Sequence, residues 1–393
     1  MVPLTAEKKD PFIHVPAHLI LTRDGLNLFG SVPGQVKKVR NRDGIMKEGL
    51  ESPSFNATVV QKMIMNSCIE EIYISLPDLL RKRFQIISTN NLVMYAILYK
   101  KLSPSLARML FDSPVVKDFN RKNPKYSIVD LKQINAQKIE LMRQTKKELF
   151  ETIEAEITSD VIERIAANPS LSDEDKNIRT KSLPKFIAWI DRRIWYLYLV
   201  IYQTPMKIQM RSSFANMIAM YLDHTKIATH LSNLLMEFIQ NAEKAHLERV
   251  IVKANMGARD AVDKLLRDPK QRLEAIDAAE KQNQMLDVSW NMNPERNNYG
   301  HSYRIQITIS NFGLIDENIR SFLYKKMKSD VDGISLADFY QDQGDTEKLG
   351  AGLGLLYNSY LLDICKKEGI SYRCNIFPEP EKEKTTVKID ITL

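Results

Sequence analysis

Apolar positions fall into several textures along the chain. Up to about residue 55, Gly, Pro and basic residues interrupt every apolar run, as in VPGQVKKVRNRDG, which predicts loops and short strands. From Asn56 onward the segments FNATVVQKMIMNSCIEEI and NLVMYAILYKKL read as helices, broken near Pro77 and before Pro104. In residues 126–167, Ile139, Met142, Leu149, Phe150, Ile153 and Ile157 lie near a three-four spacing with Lys and Glu between them. This predicts the longest helical stretch, serving as a bundle face or as a short dimer seam. Residues 168–177 are polar and loop-like. Residues 183–202 form a second helical section, heavy with Trp and Tyr, whose rings belong in a core.

Beyond residue 213 the pattern sharpens. In residues 231–249, LSNLLMEFIQNAEKAHLER, the apolar positions Leu234, Leu235, Phe238, Ala242 and Ala245 make one helical stripe. Glu237, Asn241, Lys244 and Glu248 are spaced four, three and four apart. A carboxylate, an amide and an ammonium therefore project together from the adjoining polar face. Residues 250–254 read as a strand and residues 259–284 as a charged helical insertion. In HSYRIQITIS, Tyr303, Ile305, Ile307 and Ile309 alternate with polar residues, the mark of a half-buried strand that runs into Asn311, Phe312 and Gly313. In LGAGLGLLYNSYLLD, Gly350, Gly352 and Gly354 stand at alternate positions ahead of a helix. Backbone N–H groups there can approach phosphates, and a helix start adds positive potential. The chain ends in a β-hairpin, ISYRCNIFPEP and TTVKIDITL, with Val387, Ile389 and Ile391 alternating.

Composition narrows the class. A chain of 393 residues suggests two or three domains. At 44% apolar and 27% charged it is a folded chain rather than a disordered one. The net charge of +7 is spread without a block of like charges, so no nucleic-acid partner is expected. Cys68, Cys365 and Cys374 form no C-x-x-C pair, which points to neither a disulfide framework nor a zinc site and suits a reducing compartment. The longest apolar run, IWYLYLVIY, falls short of the roughly 20 residues a membrane span needs. The first ten residues are too polar for a signal peptide. A cytoplasmic protein without a membrane span is the expectation.

Three segments, in order, resemble the GHKL superfamily of histidine kinases, gyrases, mismatch-repair and heat-shock ATPases. Glu237, Phe238, Ile239, Gln240, Asn241 and Ala242 match its E-x-x-x-N-A helix. Asn311 to Ile315 stand where it has D-x-G-x-G, with Asn311 replacing the Asp and Ile315 the second Gly. Gly350, Gly352, Leu353 and Gly354 match its second glycine box. The helix also resembles that of pyruvate dehydrogenase kinases through His230, Leu231, Leu235, Glu237, Phe238, Asn241, Lys244 and Ala245.

The resemblance implies an α+β protein: a mainly antiparallel sheet with helices on one face (the Bergerat fold) after a mainly helical N-terminal half. The implied division is an irregular segment 1–55, a helical regulatory or dimerisation domain 56–212 and an ATP-binding domain 213–393. The latter carries a helical insertion at about 256–285 and an ATP lid at about 314–349, the lid including Lys325, Lys326 and Lys328. It implies ATP and Mg2+ as cofactors, with Asn241 as metal ligand and Glu237 and Lys244 as catalytic groups. The implied nucleotide contacts are Asn241, Ala245, Asn311, Gly313, Lys348, Gly350, Gly352, Leu353, Gly354 and Thr385. The implied activity is transfer of the γ-phosphoryl group to a partner protein in signalling. The alternative is a non-catalytic or slow ATPase module in which ATP binding gates a protein–protein interaction. A homodimer through the N-terminal helices is a further expectation. None of the six histidines (14, 18, 224, 230, 246 and 301) lies in an acceptor box of the histidine-kinase type, so no internal phosphoacceptor is assigned.

Overall fold

The computed structural model describes residues 11–30, 34–169, 171–202, 204–254, 268–297, 300–327 and 353–393. The chain forms an α+β protein of two compact units. Unit 1 comprises Met1–Ala96 and Ile227–Leu393, and unit 2 comprises Ile97–Lys226. No helix among the described residues is long and apolar enough to cross a membrane.

Unit 1 is organised by an eight-stranded antiparallel sheet. Its strands are β2 (Ala17–Leu21), β3 (Lys37–Arg40), β4 (Met46–Ser52), β6 (Ile69–Leu76), β7 (Leu286–Asn297), β8 (Gly300–Phe312), β9 (Ser371–Glu379) and β10 (Lys384–Thr392). The order across the sheet is β3-β4-β2-β6-β7-β8-β10-β9. A separate two-stranded pair joins β1 (Phe12–Ile13) to β5 (Phe55–Asn56). Half of the large sheet comes from the first 76 residues, which the sequence reading divides between an irregular segment and the start of a helical domain.

The misleading stretch is residues 56–76. Asn56 caps α2 (Ala57–Met65), its side chain accepting from the Val59 N–H. The chain then passes Ser67 at φ 58 and becomes β6. Ile69 and Ile72 stand three apart, which mimics a helical period. The pairing of β2 with β6 shifts register between Ile20 and Leu21, so the apolar alternation is broken by an irregularity rather than by a helix.

Alternation on the central strands separates two faces. Ile72, Ile74, Val288, Trp290, Ile305, Ile307, Ile309, Ile389 and Ile391 are buried on one. Tyr73, Asp287, Ser289, Thr308, Ser310 and Thr386 are buried on the other. The register places Ile72 opposite Trp290, Trp290 opposite Ile307 and Ile307 opposite Ile389, so the apolar side chains form one continuous row.

The helices of unit 1 are α1 (Arg23–Phe29), α2, the first part of α3 (Arg83–Phe111), the second part of α9 (Lys207–Lys253), α10 (Pro269–Lys281), α11 (Glu317–Met327) and α12 (Leu353–Lys367). α9 does not end in a strand at residues 250–254. Val250 and Ile251 are β-branched, yet Leu247 and Ile251 bury themselves with Ala275 and Ile276 of α10, and this burial carries the helix on to Lys253. α10 starts on Asp268, whose side chain accepts from the Lys270 N–H, with Pro269 in the first turn.

Unit 2 holds the remaining helical segments, α4 (Pro114–Lys122), α5 (Ala136–Thr145), α6 (Lys147–Ala167), α7 (Asp173–Trp189) and α8 (Arg192–Tyr202), with portions of α3 and α9. α3 continues through Pro104 rather than breaking before it, and the long stretch read as one helix divides at Lys146 into α5 and α6. Phe150, Ile153, Ile157, Val161 and Ile165 form the buried stripe of α6. Phe186, Trp195 and Tyr198 lie in a core, while Trp189, Tyr196 and Tyr202 are half-buried: Phe186 stacks on Tyr221 at 4.1 Å, and Trp195 and Tyr198 close on Phe214 at 5.6 and 5.1 Å.

Candidate functional site

The motif helix α9 is held to the sheet at both ends of its polar stretch. At the near end Ser232 Oγ accepts from Asn90 Nδ2 of α3 at 2.9 Å, and Asn90 Oδ1 accepts from the indole N–H of Trp290 on β7 at 3.1 Å. Asn90, Ser232 and Trp290 are all buried, so this chain of hydrogen bonds fixes where α9 crosses the sheet. At the far end the Arg249 guanidinium donates to the carbonyls of Phe312, at 2.8 Å, and Leu314, at 2.5 Å. Between these anchors Glu237 is half-buried and Asn241 and Lys244 are exposed, while Leu234, Leu235, Phe238 and Ala242 are buried.

Asn241 is exposed, and its amide nitrogen approaches Glu237 Oε1 at 3.5 Å, one turn back along α9. Burial pushes the Glu237 carboxyl above the ordinary carboxylate range, with the Asn241 amide opposing the shift. Lys244 is exposed and lies 3.9 Å from Glu248. Ala245 is half-buried one turn on from Asn241.

The end of β8 meets the end of the chain. Thr385 of β10 pairs directly with Asn311 of β8. Asn311 Nδ2 donates to the Phe312 carbonyl at 3.1 Å, which leaves the side-chain oxygen as the acceptor. Thr385 Oγ1 donates to the Gly313 carbonyl at 2.7 Å. The Gly313 N–H donates to the Glu383 carbonyl at 2.5 Å. Gly313 has φ +94, and a Cβ there would stand 2.0 Å from Arg249 Cδ, so only glycine fits under that side chain. Arg249 thus ties α9 to the strand end that bears Asn311, and Asn90, Ser232 and Trp290 tie α9 to α3 and β7; the motifs named none of these four residues. An Arg eight residues beyond Asn241 carries no sequence signal of its own.

α11 occupies the first part of the segment read as a lid. Tyr324 Oη donates to the Ile376 carbonyl and accepts from the Ile376 N–H, each at 3.0 Å, which fastens α11 to β9. α12 is tied in turn to the end of α11, since Asn358 Nδ2 and Ser359 Oγ both donate to the Met327 carbonyl, at 3.1 and 3.0 Å. The backbone of Leu353 and Gly354 opens α12. Lys348, Gly350, Gly352, residues 328–349 of the expected lid and residues 256–267 of the expected insertion lie outside the described residues. α12 also reaches the motif helix, with the rings of Tyr357 and His230 centred 6.3 Å apart.

Three further clusters surround this region. Glu243 on α9 is buried beside Asp78, and Arg272 Nη2 of α10 donates to Glu243 Oε2 at 2.7 Å. Burial and the Asp78 carboxylate push Glu243 far above its ordinary range. Burial opposes ionisation of Asp78 too, but the Glu243 hydrogen bond, the Arg81 N–H and Arg272 hold it below its ordinary value. Glu243 therefore carries the proton of the pair. Second, burial lowers the pKa of His246, edge-on to Phe312 at 6.4 Å, to about 4. Third, on the other sheet face, Asp287 Oδ1 accepts from Tyr73 Oη at 2.8 Å and Ser75 Oγ at 2.7 Å, while Lys384 donates to Oδ2. Cys68 and Cys365 are buried, and no cysteine is in a disulfide. Among the described residues, no group of three or more His, Cys, Asp and Glu side chains is placed to hold a metal ion.

An uncharacterised protein of Treponema pallidum (strain Nichols) is similar to this chain, 24% identical over 387 residues that cover 98% of this chain and 99% of that protein. No solved structure matches the chain. A match spanning residues 8–393 shows that the chain belongs to the family of unknown function DUF8084.

Proposed function

We propose that unit 1 is a Bergerat-type domain that binds Mg-ATP on the helix-covered face of its sheet, and that it transfers the γ-phosphoryl group to a partner protein. The observation that carries this reading is the pairing of Asn311 with Thr385. These residues, 74 positions apart and both implied nucleotide contacts, face each other across one ladder. The orientation of the Asn311 amide supports the substitution of Asn for the family's Asp. Its nitrogen is spent on the Phe312 carbonyl, so its oxygen keeps the acceptor role that an adenine amino group requires.

In this reading the bound nucleotide supplies the group to be transferred, and the chain's residues position and neutralise it. Asn241 would offer one neutral oxygen to Mg2+, which takes its other ligands from phosphate and water. Glu237, its basicity increased by burial, would accept the proton of the attacking hydroxyl. Lys244 and Lys348 would offset phosphate charge.

A second reading, in which ATP binding gates a protein contact without turnover, is favoured by the Arg249 side chain lying on Gly313. Incubation with γ-labelled ATP and Mg2+ separates the two. Label on a partner protein, or release of phosphate, supports chemistry. Saturable binding with neither supports the gate. Glu237→Ala should abolish turnover and spare binding, whereas Asn241→Ala should weaken binding itself. Absence of any calorimetric signal for Mg-ATP at millimolar concentration removes both readings.

A further inference from the structure

The polar face of the sheet, opposite the proposed nucleotide site, carries a feature of its own. Arg42, in the turn after β3, donates from its backbone N–H to Glu71 Oε1 of β6 at 3.3 Å. Its guanidinium donates to Glu379 Oε1 at the end of β9 at 2.6 Å. In a flat sheet, β6 and β9 are four spacings apart, roughly 19 Å. One residue reaches both only because the β3–β4 turn folds across a curled sheet. Lys382 adds a second tie, 3.5 Å from Asp43 of that turn.

The turn roofs a cleft of about 360 Å³, within the size range of small-molecule sites. Its floor is the Asp287 cluster. Four cations line the cleft (Arg40, Arg42, Lys382 and Lys384) against two acids, Asp43 and Asp287. Donors outnumber acceptors more heavily than the charges suggest. An ammonium has three N–H donors and a guanidinium five. Lys384 spends one contact on Asp287, Arg42 one on Glu379, and Lys382 one each on Asp43 and Glu379, while the Arg40 guanidinium makes no ion pair or hydrogen bond with another described residue. Burying Tyr73, Asp287, Ser310 and Thr386 on a sheet face is costly compared with apolar packing. A cleft with surplus N–H donors, hydroxyls and no excess of acceptors matches an anion with several acceptor oxygens.

We infer that this cleft binds the phosphate group of a small phosphomonoester, with Arg40 as its principal contact and Lys384, held in place by Asp287, beneath it. The inference is independent of the nucleotide reading, because it concerns the other face of the sheet.

The test is titration calorimetry on the full chain at low ionic strength and without Mg2+, using inorganic phosphate and then glycerol 3-phosphate. Saturable binding is expected. Arg40→Ala, at an exposed position, should weaken it about tenfold or more, and Arg40→Lys should weaken it less. Asn241→Ala should leave it unchanged. Co-sedimentation with phosphatidate vesicles distinguishes the source. Vesicle binding lost in Arg40→Ala identifies a lipid headgroup, while solution binding without vesicle binding identifies a soluble phosphomonoester. No saturable binding of any of these probes overturns the inference, as does binding that Arg40→Ala leaves intact or that Asn241→Ala abolishes.

Discussion

Arg249 lies across Gly313, with its guanidinium spanning the carbonyls on either side and its methylene stem filling the space where any other residue would carry a Cβ. The contact couples the motif helix to the strand end that bears Asn311. A substitution at either partner should therefore be felt at the other.

Gly313→Ala places a Cβ at positive φ and against Arg249 Cδ at once. Left-handed backbone costs a non-glycine residue about 1 kcal/mol, and displacing the arginine adds to this. The variant should be destabilised by about 1–3 kcal/mol in urea unfolding. In an Arg249→Ala background the cost should shrink, because the steric part is gone. Equal costs in the two backgrounds would show that the arginine does not matter.

The Asn90 bridge is expected to be worth more than an average hydrogen bond. Asn90→Ala leaves the Trp290 indole N–H and Ser232 Oγ buried without it, at a cost of about 1–3 kcal/mol. The measured quantity is again the urea midpoint. Asn90→Asp, which retains the acceptor for Trp290 and loses the donor to Ser232, should fall on the destabilised side as well, because it buries a charge.

Glu243 makes stability depend on alkali. Its carboxyl releases a proton at higher pH in the native protein than in the unfolded chain. The stability it confers is full below the ordinary carboxylate pKa and is lost as pH rises through the raised value. Glu243→Gln removes the ionisation and keeps an amide beside Asp78 and Arg272. The variant should gain stability relative to the parent as pH is raised from about 5 to about 9. A difference that does not change with pH would refute the assignment of the proton to Glu243.

His246 acts at the acid end with the opposite sign. The native ring protonates only near pH 4, the unfolded one near 6.5. Stability is complete above about 6.5 and declines as pH falls toward 4, by up to about 3 kcal/mol. His246→Leu should flatten that limb in thermal melts taken between pH 7 and pH 4.

Much of unit 1 was legible where one physical signal dominated. Ile305, Ile307 and Ile309 alternate cleanly because β8 is buried on one face and polar on the other. The stripe from Leu234 to Ala242 gave α9 through simple amphipathicity. Legibility failed where tertiary contacts overrode local pattern. Ile69 and Ile72 imitated a helix across a register irregularity, and Val250 and Ile251 were read as a strand until burial against α10 kept them helical. The candidate site was visible as residue types, Glu237, Asn241, Asn311 and Thr385, but not as an assembly. The side chains that tie their elements together, Asn90, Trp290 and Arg249, act through contacts 63 to 200 residues distant in sequence. The polar cleft left no trace in the motifs, because it depends on a turn near residue 42 meeting a strand near residue 379.

The interleaved sheet has a consequence for how the protein is made. β6 emerges early from the ribosome and can pair with β2, yet its partner on the other edge, β7, lies more than 200 residues later. At about 5–20 residues per second, its edge goes without its native neighbour for roughly 10–45 s. During that interval that edge of β6 presents N–H and C=O groups without their native partners. A ribosome stalled in the intervening helices would display an unpaired β edge, an invitation to aggregate.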